Sequence, residues 1–159
     1  MCRQWMKIRM LMFVLVLTVS STVVFGADMF SGTWKVNVAK SKFDPGPGLK
    51  EQIVTFQVVG TDWKVVVDST SADGKTTHSE WIGKFDGKDY PMKGDPNIDT
   101  RSFKKVDDYT LDIIAKKGSK VLTTTRTVYN KDGKTRVSTQ TGVDAQGRQI
   151  HNTIVSEKQ

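Results

Sequence analysis

Few side chains in this sequence are spaced to do chemistry. Two histidines occur, His78 and His151, with a single cysteine, Cys2. In an extended segment His78 and Glu80 share one face, a pattern that could serve as a base pair or as two metal ligands. Two groups do not complete a site, and the plain reading is a solvated strand face. Carboxylates are numerous, but many stand in turn sequences such as Asp107-Asp108, where the side chain bonds its own backbone. No phosphate loop, Ser-His-Asp arrangement or Cys-based zinc spacing is present. The expectation is a protein without catalysis and without a cofactor.

Residues suited to binding are easier to find. Trp34 and Val36 alternate with Lys35 and Asn37, with Val38 continuing the apolar side, while Trp63, Val65 and Val67 oppose Lys64 and Asp68. Trp81 and Phe85 oppose His78, Glu80 and Lys84 in the same way. Three tryptophans therefore face one common interior. Arg126 shares a face with Leu122, Thr124 and Val128; if that face is internal, its planar five-donor fork suits an anionic head group. The other reading is an ordinary exposed arginine. Arg101, on the same face as Phe103, is a weaker version of the same idea.

The elements that must carry these residues follow from punctuation. Arg3, Lys7 and Arg9 precede an uncharged run from Met10 to Phe25, which reads as a signal peptide over residues 1–26 cleaved between Gly26 and Ala27. An uncleaved anchor helix is the alternative, because the run is only slightly short of a bilayer span. Residues 27–159 then form one domain, with no membrane span left after cleavage, placed in the periplasm or outside the cell. Removing three basic residues from 24 leaves 21 against 17 acidic ones, a charge of +4. That is too little and too evenly spread for nucleic acid. The groups Arg101-Lys104-Lys105, Lys116-Lys117-Lys120 and Lys131-Lys134-Arg136 read as solvated faces and edge protection.

After Ala27 there is almost no helical period, but repeated short runs of β-branched and aromatic residues broken by Gly, Asp, Asn or Pro. Nine such breaks separate ten strands. Asp73-Gly74, Asp86-Gly87 and Asp132-Gly133 are tight-turn sequences, and connections this short make successive strands antiparallel neighbours. An open meander of that length exposes two edges and an apolar face, so an all-β up-and-down barrel is expected. Along Val121–Tyr129 threonine falls on both faces. Either the exterior is polar, or hydroxyls line part of an interior that holds water or a ligand.

Gly32-Thr33-Trp34-Lys35 resembles the Gly-x-Trp signature of the calycins, the lipocalins and fatty-acid-binding proteins. The longer stretch Gly32 to Phe43 with Pro45-Gly46-Pro47, together with Phe85 to Pro91 and Gly94-Asp95-Pro96, is similar to small exported bacterial lipocalin-like proteins. The resemblance implies a closed barrel with the Trp packed across its bottom. It departs from the fatty-acid-binding type in two places: the connection Lys40 to Lys50 is too short and too rich in proline for a helix pair, and the last strand lacks an Arg-x-Tyr pair.

Two functions are compatible with this reading. One is a binding protein that holds a small hydrophobic or anionic molecule among Trp34, Val36, Trp63, Val65, Trp81, Phe85, Phe103 and Arg126. The other is a packed barrel that meets a protein partner through its loops, with Asp44 to Gly48 and Gly94 to Asn97 as the recognition segments.

Overall fold

Ten runs of alternating residues become ten strands because each break supplies a turn and no segment offers a competing helical face. The computed structural model describes residues 28–159, so the leader, its cleavage position and Cys2 lie outside the described residues. The strands are β1 (Gly32–Val36), β2 (Leu49–Val59), β3 (Asp62–Ser71), β4 (Thr76–Gly83), β5 (Tyr90–Lys93), β6 (Thr100–Asp107), β7 (Thr110–Lys117), β8 (Lys120–Tyr129), β9 (Thr135–Val143) and β10 (Gln149–Lys158). Each pairs antiparallel with its neighbour in sequence, and β1 pairs with β10 through Trp34↔Lys158, Lys35↔Glu157 and Val36↔Ser156. The sheet is thereby a closed up-and-down barrel, as the short connections require.

Closure is thinnest at β5, which holds two residue pairs on each side: Glu80↔Lys93 and Trp81↔Met92 with β4, Tyr90↔Arg101 and Pro91↔Thr100 with β6. A bridge between Asp86 and Lys104 and the Gly87 N–H donating to the Phe103 carbonyl hold the wall below it. Asp86-Gly87 is therefore part of a longer connection over residues 84–89 and not a tight hairpin, which corrects one of the three turn expectations. The other two hold: Gly74 and Gly133 sit at positive φ in the β3–β4 and β8–β9 turns.

The first strand also ends earlier than its alternation suggests. Asn37 caps a single 3-10 turn over Val38–Lys40, its side chain accepting from the Lys40 N–H at 3.1 Å, and Ser41 Oγ donates to the Asn37 carbonyl at 2.7 Å. Val38 is consequently exposed and not a core residue. The chain then runs beside β10, exchanging hydrogen bonds between Lys42 and Thr153, before the proline-containing loop reaches β2. No helix pair stands between β1 and β2 among the described residues.

The packed core occupies one end of the barrel. Phe30 enters beneath it and meets Tyr129 edge-on at 4.9 Å, and Tyr129 meets Trp34 at 5.0 Å. Phe85 lies flat on Trp63 at 4.6 Å and beside Phe103 at 5.5 Å, while Trp81 tilts against Phe103 at 4.5 Å. Aromatic pairs of this kind add about 1 kcal/mol each beyond the apolar area they bury. Small residues face inward at the opposite end, so the large rings close the floor and leave space above it.

Candidate ligand cavity

The space above the floor is a cavity of about 510 Å³ that opens between the loops at the far end. Its volume lies within the roughly 300–1,000 Å³ common for small-molecule sites. Two chemically different walls enclose it. Strands β2, β3, β6 and β7 contribute Val54, Val65, Val67, Phe103, Ile113 and Ala115. Strands β8, β9 and β10 contribute Thr125, Thr127, Ser138, Gln140, Asn152 and Ser156, with Ile150 and Ile154 alternating with Asn152 and Ser156 along the inner face of β10.

Part of the polar wall is braced internally. Thr127 Oγ1 and Ser138 Oγ share a hydrogen bond of 2.7 Å, and Asn152 Nδ2 donates to Gln140 Oε1 at 3.0 Å. Asn152 Oδ1 also accepts from the Asp44 N–H at 3.0 Å, which ties the proline-containing loop to the rim. Phe43, Pro45, Asp95, Asn97, Asp144 and Arg148 surround the opening, and Arg148 is paired to Asp144 at 2.7 Å. Of the two readings of the threonine run, hydroxyls inside the barrel is therefore the one observed.

Two arginines face this interior. Arg136 is 6% exposed and lies over the rings of Trp34, Phe56 and Tyr129 at 5.1, 5.2 and 5.5 Å, with an Nη1 donating to the Tyr129 hydroxyl at 2.8 Å. Its aromatic partners hold the guanidinium by cation–π attraction in place of a carboxylate. Burial raises the Tyr129 phenol above its usual value despite the nearby positive charge, so the hydroxyl stays protonated. Arg101 stands on β6, partly exposed as a whole residue but with its Nε fully buried and without a hydrogen-bond partner. Burial lowers its guanidinium from the ordinary arginine value, with Asp95 opposing that shift through space.

The expected site residues divide accordingly. Val65 and Phe103 line the cavity. Trp34, Trp63, Trp81 and Phe85 belong to or pack against the aromatic floor and do not line the cavity wall: Trp63 and Trp81 pack on Phe85, and Trp34 packs on Tyr129. Val36 is buried without lining the cavity. Arg126 is on the outer wall: its Nε and Nη2 donate to the two Asp112 carboxylate oxygens, each at 2.8 Å, and Leu122, Thr124 and Val128 face outward with it. The inward residues of β8 are Thr125, Thr127 and Tyr129, so of the two readings of Arg126 the exposed one holds, and the ligand-site expectation for it is corrected: the interior side of this strand is the one rich in hydroxyls.

Arg136, read from sequence as part of a solvated Lys131-Lys134-Arg136 group, is the largest omission, and Arg101 of the Arg101-Lys104-Lys105 group is the second. A signal was present in each. Arg136 alternates with the exposed Val137, and Arg101 is two residues from the buried Phe103.

His78 and Glu80 belong to a surface charge ladder with Asp68 and Lys64. His78 Nδ1 lies 2.6 Å from Asp68 Oδ1, its Nε2 lies 3.7 Å from Glu80 Oε1, and Lys64 pairs with Glu80 at 2.9 Å. Among the described residues no group of three or more His, Cys, Asp or Glu side chains could hold a metal ion. The hydrogen bond to Asp68, helped by charge, raises the His78 pKa above the ordinary 6.5 although desolvation opposes it. A raised folded-state value means that this contribution to stability is complete below the unfolded value and is lost as pH rises through the folded one. In an NMR titration Asp68→Asn should bring the His78 midpoint down; an unmoved midpoint would remove Asp68 as the cause.

No protein-family model matches the chain, and no curated protein matches it. Among solved structures, one similar chain is that of the siderocalin Ex-FABP, described as functioning through dual ligand specificities. The two share 11% sequence identity with a TM-score of 0.40, over 82% of this chain and 71% of the other. The barrel assignment stands on the strand pairing itself.

Proposed function

We propose that this protein binds a small, partly apolar molecule inside the barrel and performs no catalysis on it. The observation that carries the reading is the 510 Å³ cavity with one apolar and one hydroxyl-bearing wall, with loop residues at its rim. A protein whose barrel served only as a scaffold for its loops would gain stability by filling that space, since each unfilled methyl-sized void costs about 1 kcal/mol. Export to the periplasm or beyond, from the leader over residues 1–26, and kinship with exported lipocalin-like proteins, from Gly32-Thr33-Trp34-Lys35, complete the reading.

The test is direct. Purified protein, extracted and examined by mass spectrometry, should release a stoichiometric small molecule, or the emptied protein should bind the uncharged dye N-phenylnaphthylamine with a blue-shifted emission. Ala115 is 2% exposed on the cavity wall, so Ala115→Trp should fill the space. The dye affinity should fall by about a hundredfold in a variant whose circular dichroism matches the parent. A parent that carries nothing and binds no dye, or a filled variant that binds as well as the parent, would end the proposal.

A further inference from the structure

Arg101 is set apart from the other arginines by having no partner. Four arginines occur among the described residues. Arg126 forks onto Asp112, Arg148 bonds Asp144, and Arg136 is held by three aromatic rings and the Tyr129 hydroxyl. Arg136 Nε is likewise buried without an acceptor, but its Nη1 bonds the Tyr129 hydroxyl; Arg101 makes no side-chain hydrogen bond and no ion pair among the described residues, and its Nε is buried without an acceptor. The strand register puts it opposite Ala115 on β7 and Tyr90 on β5, with Phe103 next on its own face. A guanidinium cannot shed its proton to relieve such burial, as a lysine can. An unpaired buried donor with a fixed charge is costly, and that cost is removed when an oxyanion arrives.

The residue is also well placed for such a partner. Trp81 Nε1 donates to the Arg101 carbonyl at 2.8 Å, which pins the strand where the side chain enters the cavity. Asp95, at the rim, is the carboxylate whose charge reaches Arg101, and it does so without bonding to it.

We propose that the molecule held in the cavity carries an oxyanion, a carboxylate or a phosphate or sulfonate of similar reach, bound by the Arg101 guanidinium, with its apolar part against Phe103 and Val65. This rests on the binding reading above and adds the ligand's charge and its orientation. The oxyanion accepts from Nε and one terminal nitrogen, a two-bond geometry that Lys cannot reproduce.

Two dyes of similar apolar size separate the claims: anilinonaphthalene sulfonate, which is anionic, and N-phenylnaphthylamine, which is not. Arg101→Gln should weaken the sulfonate by about tenfold or more, as for loss of a charge-assisted hydrogen bond, and move the neutral dye by less than about twofold. Arg126→Ala, which removes the same charge from the outer wall, should leave both dyes where they were. An unchanged sulfonate affinity in Arg101→Gln, or an equal fall for both dyes, overturns the anion site while the binding reading survives. If neither dye binds the parent protein, both fall together. Should Arg101→Gln fail to fold, the parent alone decides: naphthoate must displace the neutral dye at lower concentration than naphthamide, and equal displacement overturns the proposal.

Discussion

Replacing Trp34 by alanine is expected to remove about 3–5 kcal/mol from the unfolding free energy, read as a large drop in the urea midpoint. The side chain is 0% exposed and serves several neighbours at once. Its Nε1 donates to the Phe30 carbonyl at 3.1 Å, its ring meets Tyr129 at 5.0 Å, and the charges of Arg136 and Lys158 lie over it at 5.1 and 5.3 Å. Truncation leaves a void in the floor, an unpaired Phe30 carbonyl and a buried guanidinium with one ring fewer. Domains of this size are stable by roughly 5–15 kcal/mol, so the loss is a large share of the total. Trp34→Phe keeps an aromatic face but not the N–H, and should cost about 1–3 kcal/mol. A Trp34→Ala protein within about 1 kcal/mol of the parent would mean that the floor closes without the indole.

The second large effect is expected at Gly142, in β9 beside the cavity opening. Its φ is +141°, a conformation that L residues rarely adopt, and a Cβ built there would lie 2.0 Å from the Leu122 carbonyl oxygen and 2.8 Å from the Thr123 Cα. Both obstacles are backbone, so no side-chain tip can swing aside. Gly142→Ala should force β8 and β9 apart where Thr123 pairs with Gly142, at a cost of about 2–4 kcal/mol from strain and overlap together. Calorimetry should show a lower Tm, and hydrogen exchange should quicken at the upper ends of β8 and β9 first. An unchanged Tm with unchanged exchange would mean that the close approach of these strands is not needed.

Gly142 also shows how far the sequence could be read. An isolated glycine inside a strand pattern signals a bulge or a close backbone approach, but nothing local says which strand approaches. The ten strands, their order and the antiparallel pairing were all legible, because they depend on turn residues and on connections too short for a crossover. So was the inward face of β1, β3 and β4, where Trp34, Val65 and Trp81 alternate with charged residues and hydrophobicity marks the interior directly.

The binding residues were less legible for a physical reason. Aromatic side chains suggest a pocket wall, yet large rings are what fill the narrowing end of a barrel, and so they became floor. The cavity stands where the inward residues are small or polar, as at Thr125, Ser138 and Asn152, and there the usual contrast between apolar inside and polar outside vanishes. Two equally polar faces leave strand orientation undetermined until the neighbours on both sides are in register. That is why Arg126 stayed open between an internal and an exposed face and Arg136 was grouped with solvated charges.

Local alternation and turn chemistry, which act over a few residues, were enough to specify an antiparallel barrel with its indoles turned inward. The partners of each arginine were another matter. Asp112 reaches Arg126 from the adjacent strand, Trp34 reaches Arg136 from the far end of the chain, and Arg101 is left alone. Charge compensation is decided by distance in space, and closure of the barrel sets those distances.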